Sequence, residues 1–223
     1  MRSGFFEREQ FEAVRRCLPD YLRPVVTFMY VTGWRSRSEV FPLQWHQVDF
    51  AAGTVRLEPG STKNKDGRMF YLTPELREVL EAQRAATEKL TRETGRIIPW
   101  VFHRRGAPIL SMYTAWANAC LRAGLATKTV TVENGRRVVK ITAQRIPHDL
   151  RRTAVRNLER AGVLRSTAMK MTGHKTESVY RRYAIVSDVD LREGAAKLAT
   201  LATADAGTKS GTLGTVTAIR AAK

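Results

Sequence analysis

A chain of 223 residues, 43% of them hydrophobic, has enough apolar material for one packed domain or two small ones. Its charge is the unusual feature. Thirty-eight Lys and Arg against 21 Asp and Glu leave a formal net of +17, which points first to nucleic acid, then to an anionic membrane surface, with a plain solvated basic surface as the bland reading. The two cysteines, Cys17 and Cys120, stand at no metal-like spacing and exclude a disulfide framework, which fits a reducing compartment. MRSGFFEREQF lacks the apolar run of a signal peptide, and PVVTFMYV is too short to span a bilayer. A soluble intracellular protein is expected, with no membrane partner.

Residues 5–18 mix apolar and charged side chains at helical spacing, and Pro19 ends them. Residues 22–31 read as a second helix, with Pro24 near its start and a break at Thr32-Gly33. A short helix is expected over 36–43, opened by hydroxyl residues. Strands over 54–57 and 68–72 flank EPGSTKNKDG, a β-hairpin with a basic tip. Thr73-Pro74-Glu75 opens a helix reaching about residue 92, and 111–123 is another. Strands over 129–132 and 137–141 surround the turn Glu133-Asn134-Gly135. Pro147 starts HDLRRTAVRNLERAG, which stops at Gly162. Short helices follow over about 164–171, 177–184 and 191–198. After Ala199 the chain turns to Ala, Thr, Gly and Ser without an aromatic residue, so a mobile tail is expected. The expected fold class is mainly α with small β-hairpins, an α+β arrangement in one domain.

Five groups of residues are candidates for chemistry. His148 and Arg151 share a helix face near its N-terminal end, where free N–H groups favour an anion. The imidazole moves a proton near neutral pH, and the guanidinium holds two phosphate oxygens. Taken alone, H-x-x-R reads more readily as a surface histidine beside a basic face that includes Arg152. Gly173-His174 pairs a turn with a histidine that is more often structural. Tyr180 and Tyr183, three residues apart, share roughly one face, and at least one is expected in the core. Arg35 and Arg37 follow a helix break, with Glu39 in reach of Arg35, either to orient it or as a surface ion pair. Lys63 and Lys65 sit on the hairpin tip. A lysine there protonates a leaving oxygen if neighbouring cations lower its pKa, or else simply attracts DNA.

In order, these residues resemble the catalytic domain of the tyrosine recombinases, the phage integrase family. TGWR, the following Glu39 and PLQW resemble the first arginine box, STKNKDGR the hairpin lysine, and PHDLRRTA with MTGHK the second box. The resemblance covers about residues 5–195. It implies that Arg35 and Arg151 clamp the phosphate, His148 acts as acid/base and His174 donates to the phosphate. Lys63 then protonates the leaving 5′ oxygen, and Tyr183 attacks to give a 3′-phosphotyrosyl link. Glu39 supports Arg35, while Lys65 and Arg152 bind DNA. No cofactor and no metal enter. The family's nucleophile follows the Gly-His histidine by about nine residues, which selects Tyr183 over Tyr180. The family commonly has three steps from arginine to acid, whereas Arg35 to Glu39 is four; Arg35 is kept over Arg37. The resemblance further implies double-stranded DNA as partner, a homotetramer on paired sites with a monomer in isolation, and a bacterial cytoplasm at the nucleoid. The expected organisation is a catalytic domain over 1–199, a flexible tail over 200–223, and no N-terminal core-binding domain in this chain. A type IB topoisomerase, a non-enzymatic DNA-binding protein and a metal-dependent nuclease are the competing readings.

Overall fold

The computed structural model describes residues 4–60, 67–134, 136–183 and 188–207. The chain divides into two compact units, Met1–Ile185 and Val186–Lys223. In the first unit, α1 (Arg8–Cys17) buries Phe11 and Val14 and is opened by a capping box between Glu7 and Gln10. Helix α2 (Arg23–Thr32) is buried on nearly every side, as its run of apolar residues requires, and ends on Gly33 at φ 66°. Its Phe28 meets Trp34 and Phe102 edge-on, each at 5.5 Å, near the centre of the main core.

The segment after α2 differs from expectation. Instead of a helix over 36–43, Ser36–Val40 forms a single wide turn in which Val40 N–H bonds Arg35 O at 3.0 Å and Phe41 N–H bonds Ser36 O at 2.8 Å. An antiparallel three-stranded sheet follows, in the order β1 (Val48–Asp49), β2 (Thr54–Leu57), β3 (Arg68–Tyr71). The first of these strands was too short for any alternation to reveal. Thr73 caps α3 (Pro74–Thr94) by accepting Leu76 N–H at 3.3 Å, and Gly95 at φ 68° ends it. A two-residue pair, β4 (His103–Arg104) and β5 (Ala107–Pro108), was likewise unforeseen and precedes α4 (Tyr113–Arg122).

The second hairpin is longer than its expected strands: β6 (Ala126–Glu133) and β7 (Arg136–Ala143) pair residue for residue. Next come α5 (Asp149–Arg160), packed on α2, and α6 (Arg165–Thr172), packed on α5 and β3. Helix α7 (Glu177–Tyr180) stops after one turn rather than running to 184, and residues 181–183 continue as turn. In the second unit, α8 (Asp188–Gly207) extends beyond the expected 191–198, so residues 200–207, read from composition as part of a mobile tail, are helical. Alanine is the best helix former, and that tract is rich in it. Among the described residues, no helix is long and apolar enough to cross a membrane.

Candidate active site

Two glycines shape the site. Gly33 ends α2 and Gly173 ends α6, both in the left-handed region, at φ 66° and 72°. Each leaves helix C-terminal carbonyls without intrahelical partners and carrying the negative end of the helix dipole. Arg151, in the first turn of α5 and 2% exposed, takes up both ends. Its Nη1 donates to Gly33 O and to Thr172 O, each at 2.6 Å. Burial lowers the Arg151 pKa to about 10, with the Arg35 charge acting in the same direction.

Beside it lies a buried carboxylate clamp. Glu39 is fully buried, and the wide turn folds it back onto Arg35. Its Oε2 accepts Arg35 N–H at 2.7 Å, and its Oε1 accepts Arg35 Nη1 at 2.6 Å. Arg68, at the start of β3, holds the same carboxylate from the other side, Nη2 to Oε1 at 2.8 Å and Nη1 to Oε2 at 3.2 Å. Burial pushes the Glu39 carboxyl up, but the Arg68 hydrogen bonds and the Arg68 and Arg35 charges outweigh it, and the net shift is downward. Arg68 Nη1 also reaches Thr172 O at 2.9 Å. Arg37 is exposed on the outside of the turn.

The protonation of His174 follows from its partners. Thr172 Oγ1 donates to Ala168 O at 2.7 Å, so toward His174 Nδ1, also at 2.7 Å, it accepts. Arg151 Nη2 donates to His174 Nε2 at 3.1 Å. The ring is therefore neutral with its proton on Nδ1. Burial, then the charges of Arg151, Arg35 and Arg68, lower its pKa to about 3.

The two tyrosines separate completely. Tyr180 is fully buried in a small core with Val155 and Ala168, and burial raises its hydroxyl to about 12. Tyr183, in the turn after α7, is half-buried and turned toward the site. Its hydroxyl is 3.0 Å from His148 Nε2, and its ring lies 4.8 Å from that of His174. The guanidinium carbons of Arg151 and Arg152 lie 5.8 and 5.4 Å from the Tyr183 ring centroid. His148, the N-cap of α5, is exposed; desolvation by its packed neighbours, then the Arg151 charge, lower its pKa. A neutral imidazole against a phenol, backed by guanidinium groups, is suited to deprotonating the phenol while an anion is held.

Of the nine residues to which the resemblance gives a role, six converge: Arg35, Glu39, His148, Arg151, His174 and Tyr183. Arg152 borders them, 3.7 Å from Asp149. Lys63 and Lys65 lie outside the described residues. A cleft of about 620 Å³ opens beside Arg68 and His174, and Lys170 and Lys175 add positive charge to its walls. Sequence reasoning missed Arg68 and Thr172. Nothing in the composition around Arg68 marks it as buried. Its one trace is Gly173, where an added Cβ would fall on the Arg68 guanidinium. Among the described residues, no group of three or more His, Cys, Asp or Glu is placed to hold a metal ion.

The sequence model of the phage integrase family matches residues 7–189. No curated protein sequence matches the chain. Among solved structures, a XerA recombinase superposes with a TM-score of 0.67 at 15% identity, covering 88% of this chain and 66% of its own. A lambda integrase dimer bound to a COC′ core site gives 0.58 at 16%, covering 83% and 49%. The catalytic domain of bacteriophage HP1 integrase gives 0.55 at 19%, covering 86% and 93%. The chain thus spans about half to two thirds of the first two structures and nearly all of the third. At these identities the likeness is one of fold.

Proposed function

The chain belongs to the phage integrase family, and from that premise we propose that it cuts and rejoins DNA strands through a 3′-phosphotyrosyl intermediate, integrating or excising the DNA of a phage or other mobile element. Tyr183 Oη attacks the scissile phosphorus and the bond to the 5′ oxygen breaks. The phenolic proton passes to His148 Nε2, already 3.0 Å away, which accepts it in the Nδ1-protonated tautomer of the neutral ring. Lys63 supplies the proton that the leaving 5′ oxygen takes up. Arg35 and Arg151 stabilise the charge that grows on the non-bridging oxygens. The contacts above use both Nη1 hydrogens of Arg151 and one on Nη2, which leaves the second Nη2–H and Nε–H as donors for a phosphate oxygen. His174 orients Arg151 through Nε2; to donate to the phosphate it exchanges that contact for a proton on Nε2. Rejoining is the reverse, with a 5′ hydroxyl attacking the phosphotyrosine, so neither ATP nor a metal is needed.

The same reading takes double-stranded DNA as substrate, a homotetramer on paired sites as the active assembly, and the bacterial nucleoid as the place of action. It assigns the catalytic domain to 1–199 and a tail to 200–223, and gives Lys65 and Arg152 to the DNA backbone. The observation that carries it is the His148–Tyr183 contact set against Arg151. The test is adduct formation on nicked duplexes in EDTA, read on a denaturing gel. Wild type gives a DNA–protein adduct, and Tyr183→Phe binds the same duplex without one. An adduct retained by Tyr183→Phe overturns the reading.

A further inference from the structure

The β6–β7 ribbon is built like an arm. It pairs eight residues with eight, from Ala126 opposite Ala143 out to Glu133 opposite Arg136. Its base is anchored, because Ala126 and Ala143 pack against the main core and α4 lies against both strands. Beyond the base, residues 127–132 and 136–140 are all exposed. A two-stranded hairpin is marginal in water without something to pack against. An exposed ribbon of this length is therefore suited to being held by a partner.

Strand alternation gives the ribbon two unlike faces. The register places Thr127, Thr129, Thr131, Thr142, Arg136 and Lys140 on one, together with Glu133 and Val138, and Val130, Val132, Val139, Ile141, Lys128 and Arg137 on the other. Each face thus carries two cations, but only the first pairs them with hydroxyls that donate, accept and offer a methyl group. At about 3.4 Å per residue the ribbon is about 25 Å long, and a DNA major groove about 12 Å wide admits a two-stranded ribbon. The ribbon is also tied to the site. Strand β7 runs within five residues of His148, and the link is pinned where Trp116 Nε1 donates to Arg145 O and Ile146 N–H to Asp149 Oδ2, both at 2.8 Å.

We propose that the threonine-rich face of this ribbon, with Arg136 and Lys140, lies in a groove of the DNA on which Tyr183 acts. The proposal rests on the DNA strand-exchange reading above. It separates from simple attraction by net charge, because each face carries two cations but the threonine face also carries Glu133, so charge alone would favour the valine face.

The experiment compares two double variants, Arg136→Gln/Lys140→Gln and Lys128→Gln/Arg137→Gln, on a mixed-sequence duplex a few helical turns long, across a salt series. All four side chains are exposed, so both variants keep the wild-type unfolding midpoint. The Arg136/Lys140 variant is expected to lower the slope of log affinity against log salt by about two, with the other variant close to wild type. Equal losses in both variants, or no loss in either, overturn the proposal. So does a loss confined to Lys128/Arg137 with self-association that Val130→Thr abolishes, which assigns the valine face to a second copy. A wild type that binds no DNA overturns the strand-exchange reading together with the ribbon. A wild type that binds and forms the Tyr183 adduct, with both variants unchanged, overturns the ribbon alone.

Discussion

Arg68 Nη2 donates to Glu39 Oε1 at 2.8 Å, with the Arg68 side chain 4% exposed and that of Glu39 fully buried. Through the same guanidinium, the wide turn after α2 is tied to the last carbonyl of α6. Arg35 hangs on the other side of the carboxylate, and Arg151 shares the Thr172 carbonyl. Arg68 thus touches the partners of both arginines that the proposed chemistry uses. Glu39→Gln would leave buried guanidinium charge uncompensated, which costs about 3 to 5 kcal/mol. Urea unfolding measures it. A loss below about 1 kcal/mol, the surface-pair value, means the cluster is not the buried unit described.

Arg68→Lys tests positioning rather than charge. An ammonium keeps the positive charge but lacks the planar fork that grips both Glu39 oxygens and the Thr172 carbonyl together. Adduct formation is expected to fall roughly tenfold or more through misplacement of Arg35 and Arg151. Binding and its salt slope remain. A lysine that restores full activity shows that charge alone suffices at this position.

Gly173→Ala strikes the same point from the other side. The backbone there has φ 72°, and the new methyl would land on the Arg68 guanidinium. The strain costs on the order of 1–3 kcal/mol before any displacement of Arg68. Gly162→Ala, also left-handed at φ 74° but with open space around it, supplies the backbone term alone. Gly173→Ala should be the more damaging of the two, in unfolding midpoint and in adduct yield. Equal effects would remove the Arg68 contact from the explanation.

The dependence of stability on pH follows from His174. Its ordinary pKa of 6.5 drops to about 3 in the fold, so the unfolded chain binds the extra proton between those values. Stability is complete above about pH 6.5 and declines as pH falls toward 3. His148 and His103 are lowered too and act in the same sense. Glu39 and Glu7 are lowered below 4.5, so their losses come at more acid pH. His174→Gln, whose side-chain oxygen still accepts from Arg151, should flatten the decline between pH 6.5 and 4.5. An unchanged slope contradicts the neutral ring.

Much of this was legible because it depends on local chemistry. Gly33 and Pro74 marked helix ends correctly, since glycine and proline act through their own backbone preferences. The order of Arg35, Glu39, His148, Arg151, His174 and Tyr183 was legible as a set, and the structure brings those six together. The wide turn at Ser36–Val40 was not, because an i to i+5 turn leaves no compositional mark. Yet it accounts for the odd spacing: one extra residue between Arg35 and Glu39 is absorbed by one wider turn, and the carboxylate still returns to the arginine. Arg68 was invisible because a buried arginine is defined by distant partners, here Glu39 and Thr172. The three-residue spacing of Tyr180 and Tyr183 did not separate them by itself; the family resemblance selected Tyr183, and the full burial of Tyr180 is what the spacing could not reveal.

The measurement that bears most directly on the central claim is the location of the DNA adduct on the chain. Wild-type protein would be incubated with randomised nicked duplexes in EDTA, denatured, digested with nuclease and trypsin, and analysed by mass spectrometry. Cleavage after Arg181 and Arg182 puts Tyr180 and Tyr183 on separate peptides. A nucleotide remnant on the peptide that begins at Tyr183, and none on the peptide containing Tyr180, is the predicted result. A remnant on Tyr180, or DNA cleaved with no remnant on either tyrosine, would contradict the account.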